Sequence, residues 1–145
     1  MLTEKQISLL EPLLLHPKFG KILLDAIESW KQEDIFPGTK SCGIDWNSNS
    51  KTYKAYKQYK IKKEENQTVE ALEQGAYCCI IGAASIGKEN KDILKKQFLI
   101  YFDISIVEYF SIQKGFDLIP FENNNSQYDF EAYKFGSDVH KALWL

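Results

Sequence analysis

The hydrophobic pattern is clearest between residues 19 and 30. Phe19, Ile22, Leu23, Ala26, Ile27 and Trp30 recur at three- and four-residue steps, while Lys18, Lys21, Asp25 and Glu28 lie largely off that stripe. At 3.6 residues per turn, this spacing gives an α-helix one apolar face and turns the charges to water. Pro17 supplies a helix start just ahead, and His16 before it reads as a residue at the mouth of that helix. Pro37-Gly38 ends this part of the chain in a turn. Upstream, Thr3-Glu4-Lys5-Gln6 is a capping box, in which the Thr3 hydroxyl accepts from a free amide and Gln6 reaches back. The short helix it opens meets Pro12, a residue suited to a first helical turn.

Residues 39–50 are rich in Ser, Asn and Gly and read as a loop, with Ile44 and Trp46 as anchors onto the core. Thr68 caps a predicted helix running to Ser85 or Ile86, with Glu70 and Glu73 at its positive end. Within it, Ala71, Gly75, Cys79, Ala83 and Gly87 recur every four residues. This makes a ridge with almost no side chain, which lets another helix approach closely. Tyr77, Ile80, Ile81 and Ile86 make the other faces apolar, so this helix belongs at the centre of the domain. Asn90 or Asp92 opens a further helix through Ile93, Leu94, Phe98 and Tyr101. Ser105-Ile106-Val107-Glu108 is a second capping box, and Gly115 after Lys114 stands where a left-handed C-terminal cap is expected. Residues 120–128 read as a polar surface loop. Asp129 then caps a last helix with Ala132, Gly136, Val139 and Leu143 on one face.

Together these elements predict a mainly α, single compact bundle-like domain over residues 1–145. It has about five or six helices, with a buried central helix near 68–86. A length of 145 residues suits one domain, and 44% hydrophobic residues with a net charge of −2 exclude a disordered chain. No repeat of solenoid length is present, and no apolar run approaches the roughly 20 residues of a membrane span. Three cysteines and the lack of a leader pattern argue against a secreted disulfide scaffold, and the expected location is the cytoplasm.

Charge adds a second layer. All eighteen basic residues are lysine. Without arginine the chain lacks the planar fork that reads guanine edges and grips phosphate in two places. Residues 1–50 carry −2, residues 51–100 carry +4 and residues 101–145 carry −4. Within the basic middle, Lys51, Lys54, Lys57, Lys60, Lys62 and Lys63 run in step with Tyr53, Tyr56 and Tyr59. The plainer reading is an amphipathic arm with solvated lysines. The functional one is an anion-binding surface, with lysines for phosphate charge and tyrosine faces for unpaired bases.

Other chemistry is weaker. Gly82-Ala83-Ala84-Ser85-Ile86-Gly87-Lys88 matches G-x-x-x-x-G-K after a strand-like Tyr77–Ile81, and Phe98–Asp103 imitates a strand ending in a magnesium-binding aspartate. Glu89 stands where that motif needs a hydroxyl, and only fifteen residues separate Lys88 from Asp103, so packing is the favoured reading. Adjacent helical cysteines point about 100° apart, so Cys78 and Cys79 read as small buried hydrophobes, and no metal-ligand spacing is present. His140 reads as structural, near the C-terminal end of its helix. Asp103, Glu108, Asp117, Asp129 and Glu131 fit helix caps and first-turn acids better than catalytic pairs. Aromatic residues crowd the chain after residue 97, which makes Phe116, Phe121, Tyr128, Phe135 and Trp144 a candidate partner or self-association patch.

The reading that follows is a non-enzymatic cytosolic binding or regulatory protein acting through protein–protein contacts, with no cofactor. The alternative is single-stranded nucleic-acid or other anion binding through 51–63, and more distantly a nucleotide-binding enzyme using Gly82–Lys88.

Overall fold

The computed structural model describes residues 2–31, 35–38, 76–85, 94–120 and 128–145. The predicted loop at 39–50, the lysine–tyrosine stretch 51–63 and the predicted helix start at Thr68 lie outside these residues. The architecture is mainly α. It comprises α1 (Glu4–Leu10), a 3-10 turn (Glu11–Leu15), α2 (Gly20–Trp30), α3 (Ile80–Ser85), α4 (Leu94–Phe102), α5 (Ile106–Phe116) and α6 (Phe130–Trp144). Among the described residues, extended structure is confined to β1 (Ile35–Pro37) and β2 (Ala76–Cys78), which pair in parallel with Ile35 opposite Ala76 and Pro37 opposite Cys78.

The local signals at the N-terminus form as written. The Gln6 amide donates to Thr3 Oγ1 at 3.1 Å and the Thr3 amide to Gln6 Oε1 at 2.9 Å, closing the capping box of α1. Pro12 sits in the first turn of the 3-10 segment, where its missing N–H costs nothing. In α2 all six stripe residues, from Phe19 to Trp30, are buried, and Lys21 and Glu28 face water. The Gln6 side-chain amide then donates to the Leu143 carbonyl at 3.0 Å, tying α1 to α6.

The central helix is buried as expected but shorter. All six residues of α3 are buried, yet helix begins only at Ile80, because Ala76–Cys78 is a strand. The reason is tertiary. Trp30 Nε1 and the Gly38 amide both donate to the Cys78 carbonyl at 3.1 Å, which takes that oxygen out of any helical ladder. Cys79 makes the transition, its carbonyl accepting from the Ala83 amide at 2.8 Å and its sulfur lying 3.4 Å from the Gly82 amide. The Ser29 hydroxyl donates to the Ala83 carbonyl at 2.6 Å, so α2 and α3 pack closely enough for side chain to reach backbone.

Gly115 corrects a second expectation. It lies inside α5, and the left-handed residue after that helix is Leu118, with φ 54°. The Ile119 amide bonds the Lys114 carbonyl at 3.0 Å, the six-to-one bond of a Schellman ending. What requires glycine at 115 is α6. A Cβ added at Gly115 would overlap the Tyr133 carbonyl, and one added at Gly136 would overlap the Ile112 carbonyl. Helices α5 and α6 therefore approach so closely that backbone of one fills the space a side chain would take on the other. The expected buried face of α6 (Ala132, Gly136, Val139 and Leu143) lies against this contact.

Candidate functional site

Two surface features concentrate chemistry. The first is a polar junction where the turn before α2 meets the N-terminal ends of α5 and α6. His16 Nδ1 accepts from the Lys18 and Phe19 amides at 3.1 and 3.0 Å, and its ring stacks on Phe19. With Nδ1 an acceptor, Nε2 carries the proton and donates to Glu131 Oε1 at 2.9 Å. Both ring nitrogens are thus committed, and His16 serves as a cap that also anchors α6. Lys18 Nζ stands 2.5 Å from the Glu108 carboxylate. Glu108 is the reciprocal partner in the Ser105 capping box, accepting from the Ser105 amide at 2.8 Å.

Burial would push the Glu108 carboxyl up, but the Lys18 ammonium and the Ser105 amide and hydroxyl outweigh it and hold the group below its ordinary value of 4.5. Glu108, with Asp129 and Glu131 farther off, holds the Lys18 ammonium above its own ordinary value. A carboxyl whose folded pKa is depressed contributes stability above its unfolded pKa, and loses it as pH falls through the folded value. The protein is therefore expected to lose stability on acidification below about pH 4.5, and Glu108→Gln to lose less over that interval. Thermal melts of both proteins from pH 7 to pH 3 check this; parallel curves would remove Glu108 from the account.

The acids singled out from sequence mostly act on the backbone. Asp129 Oδ1 accepts from the Ala132 amide at 2.8 Å as the cap of α6, and Asp117 is the C-terminal cap of α5. His140 Nδ1 donates to the Phe116 carbonyl at 2.8 Å, and its ring packs on Trp144 with centroids 4.6 Å apart. Cys78 and Cys79 are buried. Among the described residues no group of three His, Cys, Asp or Glu side chains is placed to hold a metal ion.

The partner patch read from the aromatic count is divided by the structure. Phe116 (0% exposed) and Phe135 (3%) belong to the core, so they leave the patch. Each is consumed by a ring partner: Phe116 stacks near Trp30, and Phe135 packs against Phe19 and His16. Tyr128 is half-buried beside Lys114 and Trp144 remains 42% exposed, while Phe121 lies outside the described residues. Lys51, Tyr53, Lys54, Tyr56, Lys57, Tyr59, Lys60, Lys62 and Lys63 also lie outside them. Of Gly82–Lys88, residues 82–85 are buried helix and 86–88 are not among the described residues.

The second feature is one the aromatic count missed. On α4, Phe98 and Phe102 turn inward, with Phe98 against Tyr109, while Ile100 (65% exposed) and Tyr101 (50%) face out. Lys21 Nζ lies 4.3 Å above the Tyr101 ring, linking this face to α2. The signal was present in the spacing. Ile100 stands two residues from each inward phenylalanine, close to the opposite side of a helix. No protein-family model matches the chain, and no match was found among curated proteins or solved structures.

Proposed function

We propose that this protein is a non-enzymatic binding or regulatory module whose work is protein–protein contact, and that the outer face of α4 is where contact is made. The observation that carries the reading is Ile100 and Tyr101 standing exposed on a helix whose inner face is already filled by Phe98 and Phe102. A nine-residue helix that needs one apolar face to dock has apolar groups left over on the other side. Aromatic and branched aliphatic residues at such positions release water when a partner covers them. The His16 ring, with both nitrogens engaged, and the acids acting as caps fit a scaffold better than a reaction centre.

A photo-reactive residue placed at position 100 in the native host is expected to cross-link to protein. The same residue at Lys141, exposed on α6, serves as the control. Equal labelling at the two positions, or none at position 100, would overturn the reading.

A further inference from the structure

Charge on α4 runs against the helix that carries it. Lys96 lies in the first turn, where the helix dipole is positive and no acid is present, and Asp103 follows the last turn, which holds no base. Each charge sits at the end its own helix disfavours. Lys96, Ile100 and Asp103 are all exposed. Lys96 and Ile100, four residues apart, lie about 40° from each other around the helix, and Asp103 follows one residue past its end. Asp103 ends the helix in a left-handed conformation (φ 52°), with the Ile104 amide bonding the Leu99 carbonyl at 3.1 Å.

From this placement we infer that the partner of the α4 face is a second copy of the same chain, bound antiparallel about a two-fold axis that passes beside Ile100. The inference rests on the binding role proposed above. The midpoint of positions 96 and 103 falls between residues 99 and 100. A two-fold axis there sets Ile100 against its own copy and Lys96 against the partner's Asp103, in both directions at once. Such an interface is self-complementary, as a two-fold contact requires. It also reverses the charge conflict: each lysine meets the negative end of the partner helix and each aspartate the positive end. Tyr101, about 100° around from Ile100, closes one rim of the contact, braced by Lys21. Two turns of helix bury a modest area, so the dimer belongs to the weak class, with Kd on the order of 10–100 µM.

Sedimentation velocity of the purified chain from about 5 to about 500 µM tests this. The expected result is a shift from monomer to dimer, weakened by salt and weakened at least about tenfold by Ile100→Glu. Lys96→Glu and Asp103→Lys are each expected to be monomeric alone, because each places like charges together. Mixed in equal amounts, they form a one-to-one heterodimer, because every pair is then opposite in sign. Melting curves establish that each variant folds, as substitutions at exposed positions allow. A monomer at the highest concentration overturns the inference, as does a dimer indifferent to Ile100→Glu and to both charge reversals. The cross-linking experiment separates this failure from that of the broader reading. An adduct from position 100 with the mass of two chains supports the dimer. One of any other mass overturns it while leaving a binding role intact.

Discussion

Gly136→Ala is expected to destabilise the protein by about 3 kcal/mol, the upper end of what overpacking by one methyl group costs. At most helix positions alanine replaces glycine with a gain, since it restricts the unfolded chain and raises helix propensity. Here the gain is overridden. The added Cβ would overlap the Ile112 carbonyl and lie 2.8 Å from the Phe116 amide nitrogen, and neither backbone atom can rotate away as a side chain could. Relief requires α5 and α6 to separate, which opens gaps along a contact that includes Ile112, Phe116, Ala132 and Val139. Gly115→Ala meets the same contact from the other side, through the Tyr133 carbonyl. Once one substitution has forced the helices apart, the second costs less, so the double variant should fall short of additivity. Urea denaturation measures all three. A Gly136→Ala protein within about 0.5 kcal/mol of the parent would show that the two helices are not held at this distance.

Trp30→Ala is expected to cost about 4 kcal/mol, in the range for removing a fully buried large aromatic. Trp30 is 0% exposed and joins three parts of the fold. Its ring stacks near Phe116 of α5 with centroids 6.1 Å apart, its Nε1 donates to the Cys78 carbonyl of β2, and its own carbonyl accepts from the Leu2 amide. Trp30→Phe keeps a ring in the core and drops the N–H, and is expected to cost roughly half as much. The comparison separates packing from hydrogen bonding. Equal losses for the two variants would mean the indole N–H carries most of the effect, contrary to the packing account. The same unfolding curves read both.

What could be read from the sequence was local. The α2 stripe, the Thr3 and Ser105 capping boxes and the Asp129 cap each concern residues within one or two turns, where helical periodicity and a single hydroxyl or carboxylate decide the outcome. The strand at Ala76–Cys78 was not legible, because the groups that impose it are Trp30, Gly38 and β1, far away along the chain. Locally the same residues read as a small-residue helix. Gly115 was misleading for a different reason. A glycine just after Lys114 resembles a C-terminal cap, and nothing nearby reveals that another helix will cross there. Among the aromatics, composition showed a surplus but not its location. Phe116 and Phe135 were absorbed by Trp30, Phe19 and His16, while Ile100, an aliphatic residue, is among the apolar groups that face outward.

The β1–β2 pair carries a consequence for the order of folding. Ile35 and Ala76 are 41 positions apart, so joining them closes a loop whose entropic cost is about 3 kcal/mol. Two three-residue strands offer only a few bonds, each with a net worth of about 1 kcal/mol, and so cannot nucleate by themselves. Docking of α2 on α3, through Ser29, must first bring the two strands within reach. The parallel pair is a clasp that shuts after the helices have met, and mutations confined to it should quicken unfolding while leaving the refolding rate almost unchanged.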